Sequence, residues 1–176
     1  MKPWKGSGTV EGNPIGLDRA GTTKMIKELD AHLASLMVLY HQYLKHHWLV
    51  EGPQFRDIHL FLKDHYEEVP EQADKVAERI TALGGIPTCD PVEQAKIAYV
   101  THEPEGAFRI RTSLELDRAH EGDVAKRFRT SIKLGQKVGD YGTEHLLKEL
   151  LLEVEDRAHH VDHFLGQDSL EIGRGD

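Results

Sequence analysis

Twelve histidines stand out among the 176 residues, and several share helix-spaced positions with acids. Imidazole is the commonest protein metal ligand and titrates near neutral pH. Carboxylate oxygens hold hard and borderline cations. Glu67, Glu71, Asp74 and Glu78 follow one another at steps of four, three and four, and Asp64 extends this stripe at its start. Like charges at such spacing repel by about a few tenths of a kcal/mol per pair. A solvated face relieved by Lys75 and Arg79 accounts for the stripe, and so does cation binding through oxygen. His47 continues one apolar helical face and His59 borders another. A lone histidine in such a place is more often a packed core residue than a ligand, but two beside an acidic stripe raise the ligand reading. Further on, His145, Glu149, Glu153, Asp156, His160 and His163 step by three or four. Each reads singly as exposed surface; together they suit transient handling of metal ions.

Four long helices are needed to position these residues. Met25, Leu29, Leu33, Leu36, Tyr40, Leu44 and His47 recur at three- or four-residue steps, which marks one helical face. Thr22 or Thr23 is the expected cap, and Gly52-Pro53 ends the run. A second helix is predicted over 57–83, with Ile58, Leu62, Tyr66, Val69, Ala73, Val76, Ala77 and Ile80 inward and Gly84-Gly85 as its stop. Pro70 within it removes one backbone hydrogen bond and predicts a kink. The proline-punctuated stretch 86–106 reads as a long crossover carrying a short helix over 92–99. Helices over 107–138 and 143–165 follow, separated by Gly139 and Gly142. The fold class expected is therefore all-α: a four-helix bundle with a short extra helix in the crossover between the second and third long helices. The glycine-rich residues 1–21 and the acidic residues 167–176 are expected to be flexible tails around a single domain at 22–166.

Thirty acidic residues against 22 basic ones give a formal charge of −8. That balance counts against a body that grips nucleic acid through a broad basic face. Cys89 is the only cysteine, which excludes an internal disulfide and a cysteine-based zinc site and predicts a reducing, cytoplasmic setting. The longest apolar run, Leu33 to Tyr40, falls far short of the about 20 residues a bilayer requires, and no apolar stretch follows Lys2 and Lys5 to make a signal peptide. Phosphate-binding glycine loops, G-x-S-x-G and H-E-x-x-H are all lacking, so hydrolase and nucleotide-dependent readings have no support. The Glu-x-x-His pairs that give a single bundle a complete di-iron centre are lacking as well. Fifteen residues separate His59 from Asp74. On one helix they lie roughly 22 Å apart at about 1.5 Å of rise per residue, too far for one ion to touch both. Either the histidines and the acids serve different sites, or a second subunit completes the site.

The segment Tyr43 to Glu78, YLKHHWLVEGPQFRDIHLFLKDHYEEVPEQADKVAE, resembles the Dps family of small ferritin-like proteins. His47-Trp48, Val50, Gly52-Pro53, Phe55, His59, Asp74, Ala77-Glu78-Arg79 and Leu83-Gly84-Gly85 carry the resemblance, which extends over about 22–165 and looks most like the haloarchaeal branch. It implies a ferritin-like fold and a dodecameric shell. It also implies ferroxidase activity on ferrous iron, preferably with hydrogen peroxide, and storage of the ferric mineral, which protects the cell and its DNA from oxidative damage. Carried over position by position, His47 and His59 come from one subunit and Asp74 and Glu78 from its two-fold partner, with Trp48 beside them as an electron donor or a packed interface aromatic. Lys63 stands where relatives often have a carboxylate, which implies a second iron position that is weak or completed by water. The family pore corresponds to Asp140, Glu144, His145 and Glu149, and Glu67, Glu68 and Glu71 are candidates for mineral nucleation. The roles of His159, His160 and His163 stay open at this point.

Some members of that family coat DNA through a lysine-rich tail, so a DNA-compacting structural protein with little catalytic role is the alternative reading. Here the first twenty-one residues offer only Lys2, Lys5 and Arg19 against Glu11 and Asp18. Direct DNA binding is expected to be weak or absent, and the setting cytoplasmic or nucleoid-associated.

Overall fold

A computed structural model describes residues 2–166. Its elements are α1 (Arg19–Leu49), α2 (Phe55–Ala82), α3 (Pro91–Ile97), α4 (Ile110–Val138) and α5 (Tyr141–Phe164), with no strand among the described residues. α1 packs along α2 and α4 along α5, while α1 also touches α4 and the short α3. This is the four-helix bundle with one long crossover that the periodicity predicts. Met25, Leu29, Leu36 and Leu39 of α1 meet Leu62, Val69, Val76 and Ile80 of α2, Leu114 and Phe128 of α4, and Leu147, Leu150 and Val154 of α5 in one buried core. Among the described residues no helix is long and apolar enough to cross a membrane.

The helix ends differ from expectation for local reasons. α1 starts at Arg19, ahead of the expected threonines, because Asp18 caps it by accepting from Gly21 N at 2.9 Å. The Thr22 and Thr23 hydroxyls instead donate back to Arg19 O, at 3.2 and 2.7 Å, inside the helix. α3 begins at Pro91 because Asp90 accepts from Val92 N and Glu93 N and proline suits the first helical position. α2 runs without interruption through Pro70.

Residues 2–18 form no regular element, yet part of the expected tail is laid on the bundle. Val10 is buried, and Glu11 N donates to Gly84 O at 2.9 Å. Gly84 has φ +88°, and a Cβ there would come within 2.6 Å of Glu11 O, so both backbone conformation and close approach demand glycine. The expectation of a flexible acidic C-terminus falls on 167–176, outside the described residues.

The crossover is tied down by a buried histidine. His32 on α1 bonds through Nδ1 with Tyr99 Oη and through Nε2 with Ser131 Oγ of α4, both at 2.8 Å. Burial, seconded by Arg127, lowers its pKa to about 3, while the unfolded chain titrates near 6.5. Between those values the unfolded state holds a proton that the folded state lacks. Stability is therefore full above about pH 6.5 and falls on acidification by up to about 1.4 kcal/mol per pH unit from this group. Urea midpoints measured from pH 7 to pH 4.5 are expected to fall less steeply in His32→Gln. Identical slopes in the two proteins sink this assignment.

Candidate metal centre

The loop between α1 and α2 spans only residues 50–54, so the end of one helix folds back onto the start of the other. His47 and His59 meet there. Their rings stack with centroids 3.7 Å apart and planes 20° apart. His47 Nδ1–H donates to the His59 carbonyl at 2.8 Å, and His59 Nδ1–H donates to the His47 carbonyl at 2.9 Å. With Nδ1 committed as donor, each neutral ring keeps its lone pair on Nε2, the tautomer a metal ligand needs. Tyr66 meets His47 edge-on at 4.9 Å and Phe55 lies against His59 at 4.8 Å, so both rings are held from the side as well.

Asp74 and Glu78 lie far along α2 from this pair. Both are exposed, and among the described residues neither side chain has a hydrogen bond or ion pair. No three His, Cys, Asp or Glu side chains of the described residues converge as a metal cluster within the chain. The structure thus brings the two histidines together and leaves the two acids apart from them.

The other candidates separate into engaged and open groups. Lys63 is ion-paired with Glu67 at 2.5 Å, one turn on; this i, i+4 pair is legible from spacing alone. Its contact with Glu67 raises the Lys63 pKa. Glu68 faces Arg157 Nη1 at 3.4 Å, whereas Glu71 is exposed and unpartnered among the described residues.

Asp140 is buried and engaged within the chain. It caps α5 through Thr143 N at 2.9 Å, accepts from the Thr143 hydroxyl at 2.5 Å, and is ion-paired with Arg79 at 2.6 Å. An acid just ahead of a helix is a preferred cap, a role that occupies this carboxylate within the chain. Glu144 is also engaged, by Lys148 and by Gln136 at 2.8 Å; these contacts, the Lys148 one first, lower its pKa. His145 and Glu149 remain exposed, 3.3 Å apart.

Trp48 is 67% exposed, with Leu49, Phe55 and Leu60 exposed around the histidine pair. Clustered apolar exposure of this kind marks an interaction surface.

Several polar residues escaped the sequence reading. Arg157 is 1% exposed and forms a fork onto Glu121, at 2.7 Å through Nε and 3.2 Å through Nη2. Tyr43 donates to the same carboxylate at 2.8 Å, and Gln72 accepts from Arg157 at 3.0 Å. Beside His47, His46 bonds to Asp117 at 2.8 Å and approaches Glu103 to 3.2 Å. Burial opposes charging this ring, but the two carboxylates outweigh it and raise its pKa. Charged residues at inward helical positions are the one sequence signal for both groups.

The family description Ferritin, a ferritin-like domain, matches residues 26–170. The chain is 44% identical over 165 residues to the DNA protection during starvation protein of Halobacterium salinarum, covering 93% of this chain and 91% of that one. It is 37% identical to a nutrient stress-induced DNA-binding protein of Synechococcus, covering 93% of each. The crystal structure of an archaeal Dps homologue from Halobacterium salinarum superposes with a TM-score of 0.93 at 43% identity, over 97% of this chain and 95% of that one. By sequence and by fold, the chain belongs to the Dps family of ferritin-like proteins.

Proposed function

We propose that this protein is a ferroxidase that oxidises ferrous iron, preferably with hydrogen peroxide, and stores the ferric product inside a dodecameric shell. The observation that carries the reading is the reciprocal bonding of His47 and His59, which fixes two stacked imidazoles with both Nε2 lone pairs free. Asp74 and Glu78 of the partner subunit supply the carboxylates, so iron as substrate binds a mixed imidazole and carboxylate set suited to it. The apolar rim of Trp48, Leu49, Phe55 and Leu60 is then covered by the second copy, which excludes water from the site. Trp48, next to His47 in the chain, serves as an electron donor or as a packed interface aromatic.

Two ferrous ions give two electrons to one peroxide. Its O–O bond breaks, and two protons complete two waters, so no hydroxyl radical is released. Lys63, held by Glu67, offers no carboxylate to a second iron, which is therefore bound weakly or through water. Ferric ion hydrolyses and passes to inward carboxylates. Glu71 is the open one, while Glu67 and Glu68 must first leave Lys63 and Arg157. Ferrous iron reaches the interior past His145 and Glu149, with Glu144 at the rim and Asp140 fixing the helix that presents them. In anaerobic mixing of ferrous iron with peroxide, followed by ferric absorbance, His47→Ala and Glu78→Ala are expected to slow oxidation at least about tenfold. Rates equal to the parent's overturn the site.

The same chemistry protects DNA in the cytoplasm without gripping it. Relatives carry DNA-binding or DNA-protection names, but here Lys5 is ion-paired with Glu11 and the chain carries −8. Phosphate contacts need free cations and weaken with salt. A gel shift at low salt is expected to show little retardation; tight, salt-sensitive binding favours the DNA-compacting reading instead.

A further inference from the structure

We propose that each subunit holds a second transition-metal site, between α2 and α5, in which His65 and His160 bind a borderline divalent cation such as Zn2+ or Co2+ and water completes the shell. This site does not rest on the ferroxidase reading. It lies six residues beyond His59, roughly 9 Å further along α2.

His65 is 5% exposed, and neither ring nitrogen has a hydrogen-bond partner. The Phe61 carbonyl, one turn earlier, raises its proton affinity without meeting hydrogen-bond geometry. An orphaned buried polar group costs about 1–3 kcal/mol, so a ring left with two such atoms calls for an unseen partner. Tyr43 at 5.3 Å and Phe61 at 4.1 Å clasp the ring and fix its orientation. Burial, aided by Arg157, holds its pKa at about 3, so the ring is neutral and keeps a lone pair at any physiological pH.

The ring facing His65 from α5 is His160, with centroids 6.5 Å apart and planes at 57°. Two imidazoles sharing one tetrahedral ion through bonds of about 2.0–2.1 Å place their centroids roughly 5 Å apart. The observed spacing is wider than that. His160 is exposed and has no hydrogen bond among the described residues, so a small side-chain rotation closes the gap. Arg157 opposes positive charge at His65, but Glu121 holds it as a fork and Glu68 approaches from the other side at 3.4 Å, which offsets part of that repulsion. An all-nitrogen protein set favours zinc, cobalt, nickel or copper over hard cations. His159 and His163 are exposed, with centroids 4.1 Å apart, and the His159 ring lies 6.0 Å from His160; the proposed site uses neither.

The test uses the full-length protein soaked with Zn2+, with anomalous scattering measured at the zinc edge and the bound zinc counted by equilibrium dialysis. A peak within bonding distance of both His65 and His160 is expected. His160→Gln, a surface change that leaves the fold intact, is expected to lose that peak and one zinc equivalent per subunit. It is also expected to oxidise iron at the parent's rate. His65→Gln is expected to lose the same equivalent. An ordered water beside His65 in the zinc-soaked crystals, a peak at His159 and His163 alone, or an unchanged zinc count in His160→Gln overturns the site.

Discussion

Subunits carrying His47→Ala and His59→Ala, co-assembled with subunits carrying Asp74→Ala and Glu78→Ala, are expected to recover iron oxidation that neither assembly has alone. Each pure assembly lacks one half of every centre. Losing even an outer partner of a metal ligand costs about 10–100-fold, so removing two ligands is expected to cost at least about 100-fold. In a two-fold dimer of one subunit of each kind, one centre receives both intact halves and the other both damaged ones. Random mixing in equal amounts makes half the dimers mixed and therefore returns about a quarter of parental activity. Native mass confirms that mixed shells have formed. Mixed shells with no recovered activity exclude a centre shared between subunits, because complementary halves can meet only across an interface.

Replacing Arg157 with methionine is expected to destabilise the fold more than any other single change described here. Methionine keeps the unbranched apolar stem without the guanidinium, so Glu121, which is fully buried, loses its fork while Tyr43 still donates to it. Breaking one side of a buried ion pair costs about 3–5 kcal/mol. At about 2–4 °C per kcal/mol for a chain of this size, the melting temperature is expected to drop by about 6–20 °C. Arg157→Met combined with Glu121→Leu is expected to regain most of the loss, since a well-packed apolar pair replaces a buried ion pair at little net cost. A drop of less than about 3 °C in the single variant shows that the fork contributes little.

Most of the architecture was legible because helix burial is periodic. Inward positions such as Leu29, Leu36, Leu62, Val69 and Val154 are core residues, and steps of three and four name them without tertiary knowledge. The ends of helices were less legible. Asp18 and Thr22 are both good caps, and only the chain's approach to the bundle decides which one is used. The site divided in the same way. The types and spacing of His47, His59, Asp74 and Glu78 were readable, as was the distance that keeps histidines and acids apart within one chain. The capping role of Asp140 is not legible in sequence, because a carboxylate looks the same there whether it caps a helix or faces a channel.

The sequence by itself determined the bundle, its single long crossover and the identities of the metal-binding candidates, because these depend on residue type and local period. Tertiary structure alone decided the rest. It crossed the His47 and His59 donors onto each other's carbonyls, committed Asp140 to Thr143 and Arg79, sealed Arg157 against Glu121, and left His65 without a partner. Each outcome depends on where a side chain's hydrogen-bonding atoms meet another helix. That register is set by packing in three dimensions, and no spacing along the chain encodes it.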